Sequence, residues 1–223
     1  MKKYAVIVAG GSGVRMGATT PKQFLLLNNK PILWHTISAF FNAYNDIEII
    51  VVLPKEHLQI GEDIKNIFIN NIAQITLTTG GETRFDSVKK GLQQVKEDSI
   101  VFVHDAVRCL LDRDLIERCY NQAVEKGSAI PVVAATDSIR IDDNGKHHIV
   151  NRNHIKIVQT PQTFLSKIIL PAFEQNYNET FTDEATVVEA FGTKVFLCDG
   201  HYNNIKITRP VDLVIAEKLI SNL

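Results

Sequence analysis

Residues 4–9, Tyr-Ala-Val-Ile-Val-Ala, form an unbroken apolar run that leads directly into Gly10, Gly11 and Gly13. A run this short cannot cross a membrane, and with no polar alternation it has no face to give to water. It reads as a strand covered on both sides, the condition of a parallel sheet held between two layers of helices. The glycines let the backbone turn tightly and aim N–H groups at an anion. Lys2 and Lys3 give the start a passing likeness to a secretory leader. The apolar run is too brief for one, and it enters a glycine loop at once.

The theme recurs. Strand-like segments at 47–53, 75–78, 99–103 and 128–133 alternate with segments of helical period at 31–44, 56–68, 83–95 and 112–126. Pro31 suits a first helical turn and Lys126-Gly127 a helix end. Strand–helix alternation predicts βαβ units with right-handed crossovers: an α/β fold, Rossmann-like, with a mostly parallel sheet and helices on both faces. After Ala134 the pattern changes. Residues 138–141, the turn sequence Asp142-Asp143-Asn144-Gly145 and residues 148–150 predict a β-hairpin. It breaks the series of crossovers, so a projecting arm is expected over 137–158. A segment at 156–160, helices at 166–176, 183–191 and 210–221, and a strand at 194–198 follow. With 223 residues, no Gly/Pro/Ser-rich linker and no internal repeat, the chain reads as a single domain, 1–223, with the arm inserted in it.

Lys and Arg total 24 against 25 Asp and Glu, a net charge of −1. The basic excess of a general nucleic-acid binder is missing, while a local cationic cluster for a phosphorylated small molecule stays open. No apolar stretch predicts a membrane span. Cys109, Cys119 and Cys198 cannot all pair, and their spacing matches no zinc pattern. Reduced thiols in a cytoplasmic protein are the expectation. Asn178-Glu179-Thr180 fits a glycosylation acceptor, with nothing else pointing to secretion.

Four constellations carry candidate chemistry. In the first, Ala9, Gly10, Gly11 and Gly13 are joined by Arg15 and Lys22. Gly11-x-Gly13 partly fits a dinucleotide fingerprint, with Gly17 one residue late, and the Gly-Lys-Ser/Thr of a Walker loop is missing. Two long cations beside a nest of amides suit a triphosphate. The second is Thr79-Gly80-Gly81-Glu82-Thr83-Arg84-Phe85-Asp86-Ser87, a glycine pair feeding a helix, which is either a tight turn or a cradle for a base. In the third, Asp105 ends an apolar strand beside His104 and Arg108. Open α/β sheets hold ligands at such strand ends, and a carboxylate there could hold Mg²⁺ or simply cap the next turn. The fourth is the polar set Ser138, Arg152, Asn203 and Lys206.

Together these residues carry a resemblance. AGGSGVRMG with PKQF, GGETRFDSV, VFVHDAVR, ATDSIR, TPQTF at 160–164, TDEA at 182–185 and NNIKITRPVDL at 203–213 stand in the order of the 2-C-methyl-D-erythritol 4-phosphate cytidylyltransferases. The chain resembles that family nearly end to end. The resemblance implies a fold of the nucleotidyltransferase type and a substrate pair of CTP and a polyol phosphate. It implies that Ala9, Gly10, Gly11 and Gly13 wrap the CTP phosphates, that Arg15 and Lys22 clamp them, and that Gly81, Glu82 and Ser87 surround cytosine and ribose. Asp105 would hold Mg²⁺, and Arg108 would brace its loop beside the acceptor. Ser138, where the family often has Thr, would join Arg152, Asn203 and Lys206 around the acceptor. Arg152 would reach from the arm into a neighbouring subunit, which implies a homodimer. Cys109 stands where Pro is usual, and Asn203 where Asp is common.

The implied reaction is in-line attack of the acceptor phosphate on the α-phosphorus of CTP. It needs positioning and charge neutralisation rather than a protein base. An enzyme making CDP-ribitol from D-ribitol 5-phosphate is the alternative within the same fold family. TDEA and ETRFDSV look more like the methylerythritol enzymes. A Rossmann dehydrogenase would need an acid ending its second strand, where this chain has Val52-Leu53-Pro54. A non-catalytic homologue would have lost Arg15, Lys22 and Asp105, and all three are present.

Overall fold

The computed structural model describes residues 1–11, 20–96 and 98–220. In chain order these form β1 (Lys2–Val8), β2 (Leu26–Leu27), β3 (Lys30–Pro31), α1 (Ile32–Ala43), β4 (Glu48–Leu53), α2 (Leu58–Lys65), β5 (Ile75–Thr79) and α3 (Arg84–Leu92). Next come β6 (Ser99–Asp105), α4 (Arg113–Lys126), β7 (Ser128–Ala134), β8 (Ile139–Asp143), β9 (Lys146–Val150), β10 (Lys156–Val158) and β11 (Gln162–Leu165). The described chain closes with α5 (Ser166–Ala172), α6 (Glu184–Ala190), β12 (Leu197–Asp199) and α7 (Pro210–Ile220).

The main sheet runs β10-β7-β11-β6-β1-β4-β5, with β12 alongside β7. β1, β4, β5 and β6 are parallel; the continuous apolar runs of β1, β4 and β6 suit burial on both faces, while β5 is the edge strand. Chain order builds outward from β1 to β4 and β5, then returns to place β6 on the other side of β1. Strand order therefore reverses between β1 and β6, and a crevice opens at their carboxyl ends.

Two apolar layers hold this sheet. Ala5 and Ile7 of β1 face α1 (Leu33, Ile37, Phe40) and α4 (Leu115, Ile116, Cys119). Tyr4 and Val6 face α3 (Phe85, Val88), α5 (Ile169) and α6 (Val187) on the other side. Each such side chain contributes about 1.5–3 kcal/mol on burial. Helix α3 sits especially close: a Cβ on Gly91 would come within 2.5 Å of Val6 and 2.9 Å of Val52. That close approach seats the last turn of α3 directly on β1 and β4.

Two expectations need correction, and one strand was not foreseen. The arm is narrower than 137–158. β8 and β9 form their own two-stranded sheet, but β10 leaves it and pairs antiparallel with β7, Lys156 opposite Ala134. Residues 162–165, to which the sequence pattern assigned no element, are a strand inserted antiparallel between β6 and β7. Gln162 is buried there because its amide donates to Asp183 at 2.8 Å and accepts from the Ala185 N–H at 2.8 Å. The helix at 166–176 ends at Ala172, just after Pro171. The predicted turn is as expected: Asp142 Oδ1 accepts from the Gly145 N–H at 3.0 Å, and Asn144 and Gly145 have φ of 51° and 86°.

Candidate active site

A cavity of about 360 Å³ opens at the β1/β6 crevice. Its first wall is the end of β1. The Ala9 N–H is held by Val52 O at 2.9 Å, and the Ala9 carbonyl accepts from the Gln23 amide at 2.7 Å, so the chain enters Gly10 and Gly11 from a fixed point. Lys22 is buried on the turn Lys22–Phe24, and its Cε lies 3.7 Å from where a Cβ on Gly11 would stand. Gly13 and Arg15 lie outside the described residues.

The second wall is the turn before α3. Thr83 caps the helix by accepting the Asp86 N–H at 3.1 Å, and Asp86 accepts the Thr83 N–H at 3.2 Å, a reciprocal capping box. Ser87 Oγ accepts the Gly81 N–H at 3.1 Å, and Lys90 donates to Gly80 O at 2.8 Å. A Cβ on Gly81 would fall 2.2 Å from that of Asp86, so the turn closes only with glycine. Gly81, Glu82 and Ser87 all line the cavity.

The third wall is Asp105, at the end of β6, with Lys206 opposite. Lys206 Nζ is 2.7 Å from Oδ2, Arg84 Nη2 is 3.3 Å from Oδ1, and Arg108 Nε is 3.8 Å from Oδ2. Burial by itself raises the Asp105 carboxyl. The charges of Arg84, Lys206 and Arg108 outweigh it and hold the group well below the usual carboxylate range. Lys206 is delivered by its neighbour Ile207, which is fully buried and donates its N–H to Val107 O at 2.9 Å.

Behind Asp105, a fully buried histidine holds the loop. The Asp105 N–H donates to Thr160 Oγ at 3.1 Å, and Thr160 Oγ lies 3.0 Å from His104 Nδ1. His104 Nε2 lies 3.1 Å from Arg108 O. These partners select a neutral ring that accepts at Nδ1 and donates at Nε2, and burial pushes its pKa down to about 4. His104 is therefore a structural pin. Arg108 turns away from the cavity wall and donates to Asn204 O at 2.8 Å.

The cavity thus gathers Ala9, Gly10, Gly11, Lys22, Gly81, Glu82, Ser87, Asp105 and Lys206. Within one chain it does not gather Ser138, Arg152 or Asn203. Ser138 is exposed, and Arg152, exposed at the base of the arm, donates to Thr136 O at 2.8 Å. Asn203 is exposed, whereas its neighbour Asn204 is buried and donates to Thr160 O at 2.8 Å. Adjacent residues of that loop differ in burial, so Asn204 anchors it while Asn203 is left facing solvent. Cys109 is buried with Leu27 and Val107, and burial raises its thiol to about 12, so it packs as a small hydrophobe.

Sequence reading passed over Arg84 and Glu184. Arg84 bridges Asp105 and the fully buried Glu184, with Nη2 3.2 Å from Glu184 Oε2. Both stand inside quoted motifs, ETRFDSV and TDEA, and the only signal for them was that company.

The family model described as IspD, 2-C-methyl-D-erythritol 4-phosphate cytidylyltransferase, matches residues 4–222. Proteins of that name from Phocaeicola vulgatus and Azobacteroides pseudotrichonymphae are 43% and 45% identical, covering 99% and 98% of this chain and 100% and 99% of their own. The crystal structure of 4-diphosphocytidyl-2C-methyl-D-erythritol synthase from Anaerococcus prevotii superposes with a TM-score of 0.83 at 28% identity, covering 99% of this chain and 98% of that one. The cytidylyltransferase of Francisella tularensis superposes at 0.78 and 31% identity, covering 98% and 100%.

Proposed function

The chain belongs to the 2-C-methyl-D-erythritol 4-phosphate cytidylyltransferase family, and from that premise we propose how its cavity performs the transfer. The enzyme is a nucleotidyltransferase of the non-mevalonate route to isoprenoid precursors. It moves the cytidylyl group of CTP to 2-C-methyl-D-erythritol 4-phosphate and releases pyrophosphate. None of the relatives named above is a ribitol 5-phosphate enzyme.

One observation carries the assignment of roles: an amide-and-lysine wall, a glycine-turn wall and an ionised carboxylate with its lysine converge on one 360 Å³ cavity. The Gly10 and Gly11 backbone, with Lys22, holds the triphosphate and meets charge that develops on the leaving pyrophosphate. Gly81, Glu82 and Ser87 hold the cytosine and ribose, and the backbone groups of the turn select the pyrimidine. Lys206 meets the acceptor phosphate, a monoester already ionised near neutrality, since its second pKa is about 6. No protein base is needed to free its nucleophilic oxygen. Arg15 is assigned to the triphosphate beside Lys22.

A divalent cation fits this site. Asp105 presents an ionised carboxylate at the cavity wall, and no cluster of three acid, histidine or cysteine ligands occurs among the described residues. One carboxylate, completed by phosphate oxygens and water, is a donor set suited to Mg²⁺. Bound there by Asp105, Mg²⁺ would neutralise phosphate charge. Lys206, now on Oδ2, would be released toward the acceptor.

We assign a homodimer as the working form. Ile141, Ile149, Ile157 and Val158 on and beside the arm are 48%, 70%, 49% and 38% exposed, which supports a covering partner. Arg152 of the arm then serves the partner's acceptor site, where Ser138 joins it. The cytoplasm is the assigned compartment, in keeping with three unpaired thiols. No helix among the described residues is long and apolar enough to cross a membrane.

The test is pyrophosphate release from CTP with each polyol phosphate in turn. Turnover with methylerythritol phosphate well above ribitol phosphate is expected, as is CTP well above ATP. Equal use of ATP would remove the glycine turn from nucleotide choice.

A further inference from the structure

Glu184 is fully buried in the first turn of α6. It does not cap that helix: Asp183 does, accepting the Thr186 N–H at 2.9 Å and donating its own N–H to Thr186 Oγ at 3.2 Å. An acid in a first turn normally reaches water at no cost, and this one is turned inward instead. There it takes both terminal nitrogens of Arg84, Nη1 on Oε1 and Nη2 on Oε2. A buried ion pair is weak support for a fold, because an apolar pair of like volume serves as well or better. The reason for the charge lies at the other end of Arg84, where the same Nη2 reaches Asp105 Oδ1 at 3.3 Å.

We infer that Glu184 is a positioning residue for the transfer. By gripping the guanidinium as a fork, it fixes Nη2 on Oδ1 of Asp105 and leaves Oδ2, where Lys206 sits, as the oxygen offered to the cation. Planar bidentate pairing supplies the angular precision that a single contact to Asp105 lacks. The inference rests on the reading of Asp105 as the cation-holding group. It extends the site to a residue 79 positions further along the chain that touches no substrate.

Two variants test it. Glu184→Gln keeps the size and removes the charge. The double variant Arg84→Met with Glu184→Leu removes both members of the pair together, so neither is left without the other, and Asp105 keeps Lys206 and Arg108. Melting temperature, turnover by pyrophosphate release, and Mg²⁺ affinity in the presence of CTP by calorimetry are measured for each, with Asp105→Asn beside them. The double variant is expected to melt near the wild-type temperature. In both variants Mg²⁺ affinity and kcat should fall by about 10- to 100-fold, the usual effect of losing a partner that orients a metal-binding group. Whichever variant folds decides. A double variant with wild-type melting, metal affinity and turnover overturns the inference, since the pair would then serve the fold alone. Tighter CTP binding by Glu184→Gln also overturns it, by making Arg84 a direct phosphate ligand that Glu184 restrains. Wild-type metal affinity in Asp105→Asn would instead remove the reading of Asp105 itself.

Discussion

The cavity and the arm are built on opposite terms. Around the cavity, Asp105, Arg84, Glu184, Arg108 and Lys206 are tied to one another across segments of chain far apart in sequence. Strand β6 beneath them is buried along its whole length. On the arm, β8 and β9 pair only with each other, and their side chains are almost all exposed. A two-stranded hairpin is marginal in water unless something packs on it. One chain thus gathers the walls assigned to the nucleotide, and under the proposed dimer a second copy would complete the acceptor end. Damage to the cavity should be independent of protein concentration, and damage to the arm should depend on it.

The largest expected effect tests the cavity side. Because the stem of Lys22 is buried against Gly11, Lys22→Met is a cleaner change than alanine. It should lower kcat by about 10²- to 10³-fold, the scale for removing one transition-state donor. Pyrophosphate release measured at several enzyme concentrations should show the same factor at each. Undiminished turnover would take the phosphates away from this wall.

The next effect is on stability, and it follows the buried histidine. His104 titrates near 6.5 when unfolded and about 4 when folded. Between those values the unfolded chain binds the extra proton, so stability is full above pH 6.5 and falls as the pH drops toward 4. A gap of this size amounts to about 3 kcal/mol. Urea melts at pH 7, 5.5 and 4.5 should show the decline, and His104→Gln should flatten it. An unchanged slope would remove the neutral pin.

Arg152→Ala tests the arm. Loss of one charged hydrogen bond, about 1.5–3 kcal/mol, should raise the acceptor KM by about 10- to 100-fold and leave the CTP KM nearly constant. Mixed with Lys22→Met and allowed to exchange subunits, it should recover up to about a quarter of wild-type activity, since half the dimers are mixed and one of their two sites is intact. No recovery, with mixed dimers confirmed by mass spectrometry, would place Arg152 outside the partner's site. The smallest effect on the chain itself is expected for Ile149→Asp. A side chain 70% exposed should change single-chain stability by less than about 0.5 kcal/mol. Sedimentation should nevertheless show weaker self-association, and unchanged mass at high dilution would mean the arm is covered by nothing.

The parallel strands were legible because burial on both faces writes itself as an uninterrupted run, as in Val101–Val103. The hairpin was legible because Asn144 and Gly145 must take positive φ. Strand β11 was not: Gln162 and Thr163 are polar, and only the distant Asp183 and Ala185 make a buried Gln162 acceptable. Glycine walls and strand-end acids are local features, so that part of the site could be read along the chain. The Arg84–Glu184 pair joins residues 100 apart, and nothing in either local sequence announces the other.

Strand β11 also sets a timetable for the nascent chain. β6 and β7 follow one another in sequence but stand two strand spacings apart, with residues 162–165 between them. Synthesis runs from the N-terminus, so β1, β4, β5 and β6 can assemble while the rest is still being added. Until residue 165 emerges, the facing edges of β6 and β7 are unpaired templates that any extended segment can occupy. The last helices then close over a sheet in which one interior strand arrives late. A chain stalled by the ribosome between β7 and β11 therefore holds an open slot of one strand's width, and aggregation is most exposed at that stage of its synthesis.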